Sequence, residues 1–183
     1  FLVEDQDQLY LTVFGGTVGG TGTNKNYYRS VGYRAELYFI DLAIAYAKEL
    51  QLNIQLVYAP HPANGSFSSE SLIDLSRRNV KIIKDSVFSY FIADYCVSIF
   101  SSCLFELQWL GAESFTPLMV EDKFYSKPYL EKLHHPNESN KESMNMSFKE
   151  FILAGHTKKR ESISSKVETR LEKITFSAKS GSA

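Results

Sequence analysis

What this chain has little of narrows its class before any motif is read. Only 2 cysteines occur in 183 residues. Cys96 and Cys103 fall where a buried strand gives way to a helix, so two core thiols are expected rather than a disulfide framework. No apolar run approaches the roughly 18 to 20 residues of a membrane span, and no charged-then-apolar leader opens the chain. A cytoplasmic protein is expected. Neither charge dominates: 20 basic residues face 21 acidic ones for a formal net charge of -1. That balance leaves no electrostatic footprint for a polyanion, and no nucleic-acid partner is expected. The first residue is Phe1 and not methionine, so a leader or a preceding domain is expected to have been removed.

Several chemistries also lack their signatures. The glycine cluster Gly15, Gly16, Gly19, Gly20 and Gly22 has no lysine followed by serine or threonine at P-loop distance, and it does not fit the dinucleotide fingerprint. His134-His135 has no cysteine or carboxylate at metal-ligand spacing, so neither a zinc site nor a cofactor is expected. The Gly-x-Ser-x-Gly elbow is missing and no nucleophile pairs with a base, which argues against a hydrolase. Asn64-Gly65-Ser66, Asn137-Glu138-Ser139 and Asn145-Met146-Ser147 match the glycosylation acceptor pattern. Without a sign of secretion they are read as chance.

What is present is an ordinary globular composition, 44% hydrophobic and 22% charged, enough for one core. Leu9 to Phe14 is a β-rich run that ends at the glycines. Ala35 to Leu50 is a helix with apolar groups on most faces, suited to packing on a sheet. Asn53 to Tyr58 is a second strand, which Pro60 ends because proline cannot continue the ladder. A helix over Ser68 to Arg78, with Ser71 three residues before Asp74, ends near Asn79, and Val80 to Ile83 is a short strand. A brief helix over Ser86 to Ala93 precedes the nearly continuous β run Tyr95 to Phe100. Leu104 to Leu110 is helical with Gly111 as its stop, and Phe115 to Val120 is one more strand. This alternation predicts an α/β domain, a Rossmann-like parallel sheet with helices on both faces, over residues 1–125.

The carboxyl third reads differently. Residues 126–150 are expected to be a loop or linker, with His134 to Met146 the most polar part. Residues 151–176 are expected to form a helical extension, and 177–183 a linker-like tail. Ile163, Val167, Leu171 and Ile174 make an apolar stripe behind the basic cluster Lys158-Lys159-Arg160. The stripe is expected to pack on its own domain, with a partner domain or an anionic membrane surface as the alternative.

Ligands of open parallel sheets sit beyond the carboxyl ends of the strands. Three loops therefore carry the candidates. Pro60-His61-Pro62 presents an imidazole on a stiffened backbone, able to hold a phosphate oxygen and stabilise a departing nucleotide, or to do nothing on a surface turn. Ser101-Ser102 lies at the turn from strand to helix, where two hydroxyls and unpaired amides form an anion site or a plain helix cap. Glu106, one turn on, could accept from ribose hydroxyls, or be an ordinary helix glutamate with a partner. Gly15 and Gly16 allow close approach of a phosphate or simply a flexible turn.

Strand-His61-Pro62 followed some forty residues later by strand-Ser101-Ser102-x-x-Phe105-Glu106 resembles the carboxyl-terminal domain of GT-B-fold glycosyltransferases, above all bacterial sialyltransferases and polysialyltransferases. The resemblance implies a single GT-B-type domain in which His61, Pro62, Ser101 and Ser102 bind the cytidine monophosphate part of CMP-sialic acid. It implies metal-independent transfer to a surface glycan in capsule or lipooligosaccharide synthesis, in the cytoplasm or peripheral to the inner membrane. Polyol-phosphate and UDP-sugar transferases of cell-wall synthesis are the alternative within the class. A noncatalytic nucleotide-sugar-binding module is the alternative outside it. Those sialyltransferases take their general base from an acidic-acidic-glycine motif in the amino-terminal domain. Here Glu4-Asp5 is followed by Gln6, so an isolated donor-binding half that needs a missing amino-terminal domain is expected.

Overall fold

A computed structural model describes residues 8–15, 31–61, 69–98, 103–116, 118–119, 137–138, 141–156 and 163–180. Five parallel strands form the sheet: β1 (Leu9–Phe14), β2 (Ile54–Ala59), β3 (Lys81–Ile82), β4 (Tyr95–Val97) and β5 (Glu113–Phe115), in the order β3-β2-β1-β4-β5. Helices α1 (Val31–Glu49), α2 (Ser69–Arg77), α3 (Ser86–Ile92) and α4 (Cys103–Trp109) connect them. This is a Rossmann-like α/β fold, as the alternation of elements predicts.

Strand β1 is central and all six of its residues are buried, which is why it carries no charge and is apolar or aromatic at every position but Thr12. Its register sets Val13 opposite Tyr58 of β2 and Val97 of β4. Alternate residues face opposite layers. Leu9, Leu11 and Val13 join Phe39, Ile40 and Ala43 of α1 in one cluster. On the other face, Phe14 packs with Ala93, Cys103, Leu104 and Leu107.

Three helices end on the same device, a left-handed residue that lets two amides bond back to the last turn. Gln51 (φ 54), Asn79 (φ 53) and Gly111 (φ 94) hold that position after α1, α2 and α4. The amides of Leu52, Val80 and Ala112 reach the carbonyls of Ala47, Leu75 and Leu107 at 2.8, 3.0 and 2.9 Å. Asn79 and Gly111 stand where composition places the stops.

The carboxyl third departs from expectation in four ways. The strand expected over Phe115 to Val120 is divided: β5 ends at Phe115, while β6 (Leu118–Met119) pairs with β7 (Asn137–Glu138) in a separate two-stranded sheet. Pro117 in the sequence explains the break, since it cannot donate to a ladder. Helix α5 (Lys141–His156) occupies part of the expected linker. It is no appendage: Phe148 and Ile152 are buried in the main cluster, with Phe148 edge-on to Phe39 at 5.1 Å. Helix α6 (Ile163–Ser180) runs into the expected tail.

The fourth departure is the face that α6 buries. Leu171 and Ile174 of the apolar stripe are 47% and 41% exposed, whereas Lys166 and Arg170 are 5% and 4% exposed. Both cations point at the carboxyl end of α3, where four carbonyls have no helical partner. Arg170 Nη1 donates to the Tyr90 and Phe91 carbonyls at 2.5 and 2.9 Å, and its Nη2 to the Ala93 carbonyl at 2.8 Å. Lys166 Nζ lies 2.6 Å from Asp94 Oδ1, while Asp94 Oδ2 accepts the Tyr10 amide at 2.9 Å. A burial pattern keyed to hydropathy cannot anticipate a helix held by cations on carbonyls.

Among the described residues no helix is long and apolar enough to cross a membrane. Cys96 and Cys103 are both buried and neither is in a disulfide. Burial pushes the Cys96 thiol up to about 12, as befits an inert core group.

Candidate functional site

Strand order reverses between β1 and β4, the position beyond whose carboxyl edge open parallel sheets hold ligands, because the crossovers on either side depart to opposite faces. The loops after β1, β2 and β4 all leave from this edge. Neighbouring strands stand about 4.8 Å apart, so the ends of β2 and β4, on either side of β1, are roughly 10 Å apart. One nucleotide can bridge them.

Gly15 follows β1 directly, its amide bonded to the Ala59 carbonyl at 2.8 Å. A Cβ at this position would stand 3.2 Å from the His61 amide nitrogen and 2.8 Å from the Tyr58 hydroxyl. Glycine is therefore needed here to let the first two loops touch, whatever binds above them. His61 comes two residues after β2 and is half-buried. Burial lowers its pKa, which favours the neutral imidazole with one N–H to donate.

Two residues that sequence reasoning missed lie under this contact. Tyr58, at 0% exposure, donates its phenol proton to Glu36 Oε2 at 2.6 Å, and Glu36 on α1 is also at 0%. A carboxylate buried to that degree needs such a donor. The signal was present only as one acidic residue in the second turn of a helix otherwise apolar on that side. Nothing local marks it as buried.

On the other side of β1, Ser98 Oγ donates to the Phe14 carbonyl at 3.0 Å, tying the end of β4 to the end of β1. Gly16, Pro62, Ser101 and Ser102 lie outside the described residues. Their neighbours bracket them: the β4 segment is described to Ser98 and α4 begins at Cys103. Glu106 sits in the first turn of α4 and is exposed. Tyr90 of α3 lies near enough to Glu106 and Cys103 for both to act on its phenol. Burial and these two groups together drive the Tyr90 phenol well above its ordinary range. Tyr90 also meets Phe14, the last residue of β1, edge-on at 5.5 Å.

The structure thus sets Gly15 beside the His61 backbone at the carboxyl ends of β1 and β2, with Glu106 in the first turn of α4, the helix that follows β4. Among the described residues no group of three or more His, Cys, Asp or Glu side chains could hold a metal ion. The chain matches no protein-family model, no curated protein and no solved structure.

Proposed function

We propose that the carboxyl rim of this sheet binds the nucleotide of a CMP-sugar donor, and that the chain is the donor-binding domain of a sialyltransferase-like glycosyltransferase. The observation that carries the reading is the close approach of Gly15 and the His61 backbone at the carboxyl ends of β1 and β2, next to the strand-order reversal, where a Cβ on Gly15 would lie 3.2 Å from the His61 amide. It supports the reading because His61 follows β2 and the next loop candidate follows β4, on the two strands that flank β1 at the same edge of the sheet.

Transfer breaks the bond between the anomeric carbon of the sugar and a phosphate oxygen, and the electron pair leaves with the nucleotide. A donor fixed at that oxygen stabilises the departing charge without reorganisation. His61 supplies an N–H there, and the Ser101 and Ser102 hydroxyls bind the same phosphate. Glu106 accepts from the ribose hydroxyls. The proton of the attacking acceptor hydroxyl needs a base, which this reading assigns to a separate amino-terminal domain that also seats the glycan acceptor.

Calorimetric titration with CMP tests the assignment. Wild-type binding that weakens by about tenfold or more in both His61→Ala and Ser102→Ala is the expected outcome, the scale of a hydrogen bond to a charged group. Absence of binding, or equal binding by both variants, removes the site. A transfer assay with CMP-sialic acid and a complementing amino-terminal domain separates an enzyme from a noncatalytic binding module.

A further inference from the structure

We propose that Glu36 is a positioning residue of the rim: it holds the Tyr58 phenol at one spot beneath Gly15, and the phenol sets where the loops after β1 and β2 run and hence where His61 stands. The consequence for nucleotide affinity rests on the nucleotide-binding reading above. The placement of His61 does not.

Glu36 is fully buried on a helix whose neighbouring residues Ala35, Phe39 and Ile40 belong to the main core cluster. An apolar side chain would serve packing there at least as well, since replacing both members of a buried polar pair by apolar groups of similar shape is often neutral or stabilising. A local breach of this kind marks a functional position, and this one lies directly under the candidate site.

A crossover between parallel strands returns its helix antiparallel to them, so α1 starts at the carboxyl edge of the sheet and its second turn, with Glu36, lies close beneath the rim. Tyr58 of β2 leaves the sheet on the α1 side, in the cluster that holds Phe39 and Ile40. Its hydroxyl donates to Glu36 Oε2 at 2.6 Å. Tyr33, in the first turn of α1, stands edge-on to the Tyr58 ring at 6.2 Å. Ring and hydroxyl are therefore both held. The phenol oxygen so placed abuts the first loop: a Cβ on Gly15 would stand 2.8 Å from it, and the same point is 3.2 Å from the His61 amide nitrogen. The Gly15 amide in turn bonds the carbonyl of Ala59, two residues before His61, at 2.8 Å. One oxygen, fixed from α1, thus lies where the two loops touch. Burial is what lowers the His61 pKa, so that pKa reports how closely the loop is held.

NMR titration of His61 and calorimetry with CMP test the role on the full chain, for wild type, Glu36→Gln, Tyr58→Phe and the double variant Glu36→Leu/Tyr58→Phe. Tyr58→Phe keeps the ring but loses the oxygen. It should raise the His61 midpoint toward 6.5 and weaken CMP binding about tenfold, the scale of one hydrogen bond to a charged group. Glu36→Gln keeps an oxygen for the phenol, and should leave the midpoint unchanged and the affinity within about threefold of wild type. The double variant replaces the pair by apolar groups and should unfold in urea no earlier than Tyr58→Phe, yet reproduce its midpoint and its affinity, which separates positioning from stability. A wild-type midpoint or wild-type affinity in either variant that lacks the phenol oxygen overturns the proposal, and so does a Glu36→Gln protein as impaired as Tyr58→Phe. Failure of wild type to bind CMP overturns the nucleotide-binding reading instead, and the midpoints still decide the placement of His61.

Discussion

The hydroxyl of Tyr58 occupies the place where a side chain at position 15 would begin: a Cβ on Gly15 would stand 2.8 Å from the phenol oxygen. Tyr58 cannot swing aside, because it is fully buried and bonded to Glu36 at 2.6 Å. Gly15 is thus explained from below, by a tyrosine, before any ligand is invoked from above.

Gly15→Ala should accordingly destabilise the protein by about 1 to 3 kcal/mol, the usual cost of forcing a methyl into a filled site. Removing the phenol oxygen relieves the crowding. In urea unfolding, the double variant Gly15→Ala/Tyr58→Phe should be less destabilised than the sum of its parts, a coupling of about 0.5 to 3 kcal/mol between touching residues. Strict additivity would mean that the close approach costs nothing.

Burial of the ion pair between Lys166 and Asp94 makes a second expectation. The lysine side chain is 6% exposed and the aspartate 19%, so Lys166→Met strips the counter-charge from a mostly desolvated carboxylate. Roughly 3 kcal/mol of stability should go with it. Asp94→Asn added to Lys166→Met removes the orphaned charge while keeping an oxygen for the Tyr10 amide, and should restore much of the loss. Urea midpoints of the three proteins decide the matter: a double variant no better than Lys166→Met alone would show that the pair's charge is not what holds α6.

The histidine of the candidate site gives a pH expectation with a definite sign. Burial lowers the folded-state pKa of His61 beneath its ordinary value of 6.5. Between those two values the unfolded chain binds more protons than the folded one, so stability rises with pH across the window and is lost as pH falls below about 6.5. An NMR titration should find the His61 midpoint under 6.5 in the free protein. Saturating CMP should move it upward, since a bound phosphate favours the imidazolium. A midpoint that CMP leaves unmoved would place the nucleotide away from His61.

Sequence alone determined the class of fold and the edge on which function would be sought. The apolar run of β1, the alternation of strand and helix, and stops at Pro60, Asn79 and Gly111 are local statements, fixed by side-chain period and backbone sterics within a few residues. His61, Gly15 and Glu106 are candidates for the same local reason, and the structure puts each after a strand end or at the start of a helix, where loops of parallel sheets carry ligands. Only the tertiary structure decided which polar groups are buried. Glu36 reads like any helix acid, and Lys166 and Arg170 like the solvated side of an amphipathic stripe. Yet Glu36 meets Tyr58 across 22 positions, and Arg170 meets Tyr90 across 80. Desolvation of a charge is set by everything packed around it, and nothing within a turn of the residue records that. The order β3-β2-β1-β4-β5, which sets the reversal beside β1, is likewise a choice of pairing between distant segments, made by the whole core at once.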